Sequence, residues 1–348
     1  MSKIKLILVS IFVIAGVLGI YAFMSKGGDI STGKDKSLNN LSGGSIDKEY
    51  RNLKLVYSEE VEEVAFLLDF INEKGIFNKH GLNVEQVPTG KATDALAAGE
   101  ADVQISGPTG PLSIFLGGGE LKLLADVFNK FNNFGVSRFP EEKRSEIKKV
   151  AIKSFGKEPQ IAMIVALKSL GIDTDKVEFV AVPAISARLD MMEKGNIDFM
   201  NIQSQKTMLE IGDRANRYYV IDPPEMQKGT YSSHVSIMTN KNALDNKSGE
   251  LKDFVLSVQE ALSAMSDNPE ETKSFIQSKY GFSQDISKGF CDRLWKALEN
   301  TQFIPDPGQN RSLSDLIKKE FKITDSEANA DDFIYPDFAR EAVSSGAK

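Results

Sequence analysis

The sequence predicts an α/β fold of two lobes, each a small, mostly parallel sheet flanked by helices. Three observations predict it. Strand and helix patterns alternate from Leu53 to Val127, the same alternation restarts at Val150 and runs to Ile202, and from Ser248 onward the chain is mostly helical. The second lobe closes near residue 222, so this helical C-terminal region has to pack back on the first lobe. That arrangement needs two crossings, near Phe134 to Val136 and near Tyr231 to Val235. Paired crossings between two lobes make a hinge around a cleft.

In the first half, Leu53–Tyr57 reads as a strand, followed by a helix from Glu59 to Lys74 with Ser58 as its N-cap. Its apolar positions Val61, Val64, Ala65, Leu68 and Ile71 recur at helical spacing. Leu82–Val87 alternates apolar and polar residues as a strand does. ATDALAAGE is a short helix stopped at Gly99, and DVQIS is a strand that runs through Gly107-Pro108-Thr109 into the helix LSIFL. The apolar run Leu121–Val127 closes the set. A parallel strand that ends in a small-residue loop at a helix N-terminus is where open α/β sheets bind ligands.

The second half repeats this order. Val150–Ile152 is a strand, Lys153–Lys157 a loop, Pro159–Leu170 a helix, Glu178–Val182 a strand, Ala184–Lys194 a helix and Asp198–Ile202 a strand. Two more strands, Tyr218–Ile221 and Ser232–Thr239, precede helices at Asp253–Ser266, Glu270–Lys279, Asp285–Glu299 and Ser312–Phe321. The expected organisation is therefore a first lobe of residues 50–135 and 232–348 and a second of 136–231.

Residues 1–24 stand apart. Lys3 and Lys5 precede the apolar stretch Leu6–Met24, which suits a signal segment or an uncleaved membrane anchor, with the positive flank inside. No cysteine lies near to carry a lipid, and Tyr21-Ala22-Phe23-Met24 is bulky where a signal peptidase needs small residues, which favours the anchor. Residues 25–49, rich in Gly, Ser, Asn, Asp and Lys, read as a flexible tether. Contact with the membrane is expected through this N-terminal part, and an extracytoplasmic location for the rest.

Composition narrows the function classes. The 348 residues are 41% hydrophobic and 26% charged, ordinary for a globular protein. A net charge of −7 disfavours nucleic-acid partners. The single cysteine, Cys291, and the two histidines, His80 and His234, leave little material for a metal site or a nucleophile–base set, so neither metal, cofactor nor catalytic residues are expected.

Four segments carry a resemblance: KGIFNKHGLNVE, ALAAGEADVQISGPT, KSLGIDTDKVEFVAV and MMEKGNIDFMNIQS, in that order, with DDFIYPDFAREAV as a closing helix. From about Leu53 to Val343 the chain resembles the extracytoplasmic substrate-binding proteins of ABC transporters, in the nitrate/sulfonate/taurine and thiamine-pyrimidine-precursor group. The resemblance implies a type II periplasmic-binding-protein fold, a small-molecule ligand and an ABC permease as partner. It also leaves two alternatives open: a membrane-tethered ligand sensor, and a same-fold enzyme of thiamine-pyrimidine synthesis. Those enzymes use a cysteine-rich segment with histidines, which this chain lacks.

The loops expected to meet at the cleft supply the candidate ligand-binding residues. Ser58 and Glu59 open the first helix, where they also suit a cap and the helix dipole. Ser106, Gly107 and Thr109 open the third helix, a position that the resemblance assigns to ligand. Lys153, Ser154 and Phe155 precede the helix at Pro159, a natural anion seat. Asn201 and Gln203 follow the strand DFMNI, where family members often have an aromatic or acidic residue. Tyr231, with Phe131 and Phe134, lies at the crossings, as a cleft wall or as core. The EEVEE run from Glu59 places four carboxylates at or near the first loop. Together with amides that both donate and accept, this points to a zwitterion, a neutral heterocycle or a cationic metabolite rather than the group's usual oxyanion.

Overall fold

The computed structural model describes residues 50–346, apart from 59–60, 129–133, 203–211, 216, 223–225, 227–233, 282–290, 293, 296–297 and 299–301. The N-terminal segment and tether, the candidate residues Glu59, Gln203 and Tyr231, Phe131, and much of the helix expected at Asp285–Glu299 lie outside the described residues. Among the described residues no helix is long and apolar enough to cross a membrane.

The first lobe is built from β1 (Arg51–Tyr57), α1 (Glu62–Glu73), α2 (Ile76–Lys79), β2 (Leu82–Pro88), α3 (Ala92–Ala97), β3 (Val103–Ser106), α4 (Thr109–Leu116) and β4 (Leu121–Phe128). The second follows with β5 (Phe134–Ser137), β6 (Lys149–Ile152), α5 (Glu158–Ser169), β7 (Glu178–Ala181), α6 (Ile185–Glu193), β8 (Phe199–Ile202), α7 (Gly212–Ala215) and β9 (Tyr219–Ile221). The chain then returns as β10 (Val235–Asn240), α8 (Lys241–Asn246), α9 (Ser248–Asp267), α10 (Pro269–Tyr280), α11 (Pro307–Phe321) and α12 (Asp337–Ser344).

The two sheets share one topology. The first has the order β2-β1-β3-β10-β4 and the second β7-β6-β8-β5-β9. In each, four strands run the same way, and the strand arriving from the other lobe inserts antiparallel among them: β10 between β3 and β4, β5 between β8 and β9. Both lobes are thus mixed rather than purely parallel. The antiparallel strand is the consequence of the crossings, because a chain coming back across the hinge enters the sheet from the opposite end.

One helix start differs from the sequence expectation. Helix α1 begins at Glu62, with Val61 at its N-cap and no side-chain cap. The Val61 amide donates instead to the Ser58 carbonyl, 3.3 Å away, and this turn releases the Ser58 side chain from capping.

The first-lobe core joins Leu53, Leu55, Phe70 and Phe77 to Phe254, Val258 and Ala339 from the C-terminal helices. Phe77 stacks on Phe254 with ring centroids 5.3 Å apart, so α9 packs back on the first lobe as expected. The second-lobe core gathers Val150, Ile152, Met163, Leu167 and Phe199 around β6. Ile161 of α5 breaks this separation. It is fully buried in a cluster otherwise supplied by the first lobe, including Leu96, Leu112, Leu313 and Phe333. An apolar contact therefore bridges the lobes.

Candidate functional site

A cavity of about 460 Å³ lies between the lobes, a size suited to a small metabolite. Its walls are the loops that leave the carboxyl ends of parallel strands in both sheets: Ser58 after β1, Thr89 to Asp94 after β2, Ser106 and Gly107 after β3, Lys153, Ser154 and Gly156 to Pro159 after β6, and Pro183 after β7. Open α/β sheets present ligands with such loops because the strand ends and following helix N-termini expose unpaired amides there.

Among the sequence-predicted residues, Ser58, Ser106, Gly107, Lys153 and Ser154 all line this cavity. Thr109, Phe155 and Asn201 do not. The Thr109 side chain is fully buried beneath the wall, Phe155 points to solvent with 53% exposure, and Asn201 is buried, its carbonyl accepting from Arg188 Nη1 at 3.0 Å. Of the acidic run, Glu59 and Glu60 lie outside the described residues. Neither Glu62 nor Glu63 lines the cavity, and the carboxylates that do are Asp94 and Glu158.

On the first-lobe wall, Gln104 is fully buried, and its Nε2 donates to Ser106 Oγ and, at 3.1 Å, to Thr93 Oγ1. Gly107 packs closely on what lies opposite: a Cβ there would sit 2.9 Å from the Glu158 carboxyl carbon, and that side chain would have to move. Glu158 stands in the first turn of α5 and reaches across the cleft, where the Thr109 amide donates to its Oε2 at 3.3 Å. Burial pushes this carboxyl up to about 7, against the opposing pull of the Thr109 hydroxyl and amide.

The second-lobe loop is held by its own backbone. Gly156 adopts a left-handed φ of +67°, and its amide donates to Gln160 Oε1 at 2.8 Å, which turns the chain into α5. Lys153 on this loop is half-buried. Burial holds its ammonium below the usual lysine range, helped by the nearby charges of Arg188 and Lys157. Arg188 of α6 is itself buried, with its guanidinium pushed down to about 10, and it donates to the carbonyls of Asn201 and Pro183. It thereby ties the end of β8 to the rim residue Pro183.

Sequence reading missed Thr93, Gln104 and Glu158. Gln104 sits inside a strand and Glu158 beside a proline at a helix start, where a carboxylate is explained by the helix dipole alone. His80, His234 and Cys291 do not line the cavity. His80 pairs with Glu260 at 2.8 Å, and Cys291 is buried, its thiol pushed up to about 11 by burial.

The comparisons agree with this architecture. Solved structures that share the fold include a putative sulfonate ABC transporter periplasmic sulfonate-binding protein SsuA from Methylobacillus flagellatus (TM-score 0.64, 13% identity, covering 85% of this chain and 95% of that one). The periplasmic aliphatic sulphonate binding protein SsuA from Escherichia coli superposes with a TM-score of 0.60 at 13% identity, over 82% of this chain and 92% of its own. The periplasmic nitrate-binding protein NrtA from Synechocystis gives 0.59 at 14% identity, over 86% and 89%. No curated protein matches the chain. The family model described as NMT1/THI5 like matches residues 71–272, more than half of the sequence. The chain, with two topologically matched sheets around a cleft, belongs to the NMT1/THI5-like family and has the periplasmic-binding-protein fold.

Proposed function

We propose that this protein is an extracytoplasmic solute-binding protein that closes its lobes on a small organic molecule and delivers it to an ABC permease. The observation that carries the reading is the cavity itself, walled by strand-end loops from both sheets, so that a ligand inside it is held by both lobes at once. Closure around a ligand in this way is the general device by which hinged two-lobed proteins bind. Structural neighbours bearing the names of periplasmic sulfonate- and nitrate-binding proteins support the same role. Ser58, Ser106, Gly107, Lys153 and Ser154 are the proposed contacts from the original candidates, joined by Thr93, Gln104 and Glu158. The apolar segment behind Lys3 and Lys5 supports tethering at the outer face of the membrane.

Binding is favoured over catalysis by the placement of the reactive groups. Neither histidine nor the cysteine reaches the cavity, and a thiol raised to about 11 is a poor nucleophile. The test is native mass spectrometry of the freshly purified full chain, followed by denaturation. Recovery of a small molecule unchanged supports the reading; its chemical conversion during incubation supports the biosynthetic alternative. Thermal shifts absent across a broad metabolite library, with no co-purifying molecule, would leave the cleft as that of a sensor or adaptor.

A further inference from the structure

The head of α4 already has an acidic group seated on it, and the chain itself supplies that group. The Thr109 amide donates to Glu158 Oε2 at 3.3 Å, and the Thr109 hydroxyl also favours the charged carboxyl. Packing on Gly107 is just as close: the Cγ, Cδ and Oε2 atoms of Glu158 all stand 2.9 Å from the place of a Cβ there. The loop beneath is braced without Glu158, because Gln104 donates to Ser106 Oγ and that hydroxyl donates to the Gly107 carbonyl at 3.2 Å. One turn along α5, Ile161 is buried among first-lobe residues and holds the start of this helix against them.

Unpaired amides and the dipole make a helix start a seat for negative charge. Here the seat opens on the cavity wall through Ser106 and Gly107, yet its occupant comes from the opposite lobe. A ligand's acidic group cannot share it. The Glu158 side chain fills the space in front of Gly107, and two like charges brought together repel. An anion that entered while the lobes stood apart would meet Glu158 as they closed.

We propose that Glu158 sets the specificity of the cleft by filling the anion seat of α4, so that ligands docking there through an oxyanion are excluded. This rests on the cleft being the ligand site, as proposed above. Glu158 still borders the cavity and touches the ligand from beside it. Lys91, Lys153 and Lys157 remain for an acidic group placed elsewhere on the wall. A seat occupied from within lowers the apparent affinity of a competitor by the fraction of time it stands empty.

The test is calorimetry on the full chain with nitrate and methanesulfonate, at about pH 8, where the carboxyl raised to about 7 is charged. Both anions should bind weakly to the unaltered chain. Glu158→Ala empties the seat and should bind them at least about tenfold more tightly, as expected for a seat vacant about a tenth of the time or less. Glu158→Gln removes the charge but keeps a side chain of the same shape before Gly107, so its gain should be the smaller. Equal gains in the two variants overturn the proposal, because charge alone then explains the exclusion. A folded Glu158→Ala with no gain overturns it too. So does tight binding of either anion by the unaltered chain, whatever the variants do. If Glu158→Ala does not fold, Glu158→Ser takes its place, serine being at home in a helix start. The solute-binding reading fails on a different result: no co-purified molecule and no thermal shift with the metabolite library for the unaltered chain.

Discussion

The Thr109 amide, at the head of α4 in the first lobe, donates across the cleft to Glu158 Oε2, at the head of α5 in the second, over 3.3 Å. One carboxyl caps the far helix while standing in the first turn of its own, where the local dipole also favours negative charge. Yet burial pushes the carboxyl up to about 7.

This sets a pH dependence for closure. An opening that brought the Glu158 carboxyl into water would return it to its ordinary value near 4.5, whereas burial in the structure described raises it to about 7. The closed form therefore binds the proton more tightly, and closing takes one up between these values. Closure should be favoured fully below about pH 4.5 and weaken as pH rises toward 7, with no further change from this group above it. Small-angle scattering of the ligand-free protein across this range should show the radius of gyration rise with pH. Glu158→Gln should flatten the curve.

The apolar part of the bridge makes a separate prediction. Ile161 is fully buried among first-lobe residues, so Ile161→Ala removes apolar contacts that join the lobes. Truncating a buried isoleucine costs about 2–5 kcal/mol in well-packed sites, and here part of that cost falls on closure. The variant should be more open in scattering and bind its ligand more weakly. An unchanged scattering profile with a lowered melting temperature would instead assign Ile161 to overall stability.

Stability of the first lobe should depend on Asn240. Its side chain is buried, donates to the carbonyls of Leu96 and Ala101 at 3.1 and 2.8 Å, and accepts from the Ala243 amide at 2.8 Å to cap α8. Asn240→Ala leaves two buried carbonyls and one helix amide unpaired, a loss of roughly 2–4 kcal/mol. Chemical denaturation should show a lowered midpoint with unchanged slope. Ligand affinity measured well below that midpoint should change little, because the residue lies outside the cavity lining.

The lysines of the second-lobe loop should govern electrostatics. Lys153 is half-buried beside Arg188 and Lys157, a cluster whose mutual repulsion an acidic ligand group relieves. Lys153→Ala should weaken binding of an acidic ligand by about tenfold. Lys91→Ala, with the cation on the opposite wall, should show the smaller and more salt-sensitive effect of an exposed charge. Isothermal titration at two ionic strengths separates the two.

Much of this protein was legible in one dimension. Alternating apolar patterns, glycine stops at Gly99 and Gly171 and the restart of the same order after Val150 were enough to predict two α/β lobes, because strand and helix periods are local properties of the chain. The loops that bring Ser106, Gly107 and Lys153 to the cavity wall were readable for the same reason. The structure alone put Gln104 and Glu158 on the cavity wall, where sequence reads an ordinary strand residue and an ordinary first-turn acid. It also corrected the cap at Ser58, whose carbonyl rather than side chain starts the turn. Thr109 followed the same logic: its position at a helix start was plain, but its hydroxyl is buried beneath the wall.

What the sequence by itself determined is the grammar of the elements and the family, with the strand-end loops as the place to look for a ligand. What only the tertiary structure decided is the character of that place. Glu158 and Thr109 lie 49 residues apart and in different lobes, and nothing in either local segment encodes that they meet. The desolvation that raises this carboxyl exists only once the two sheets face each other across the cleft.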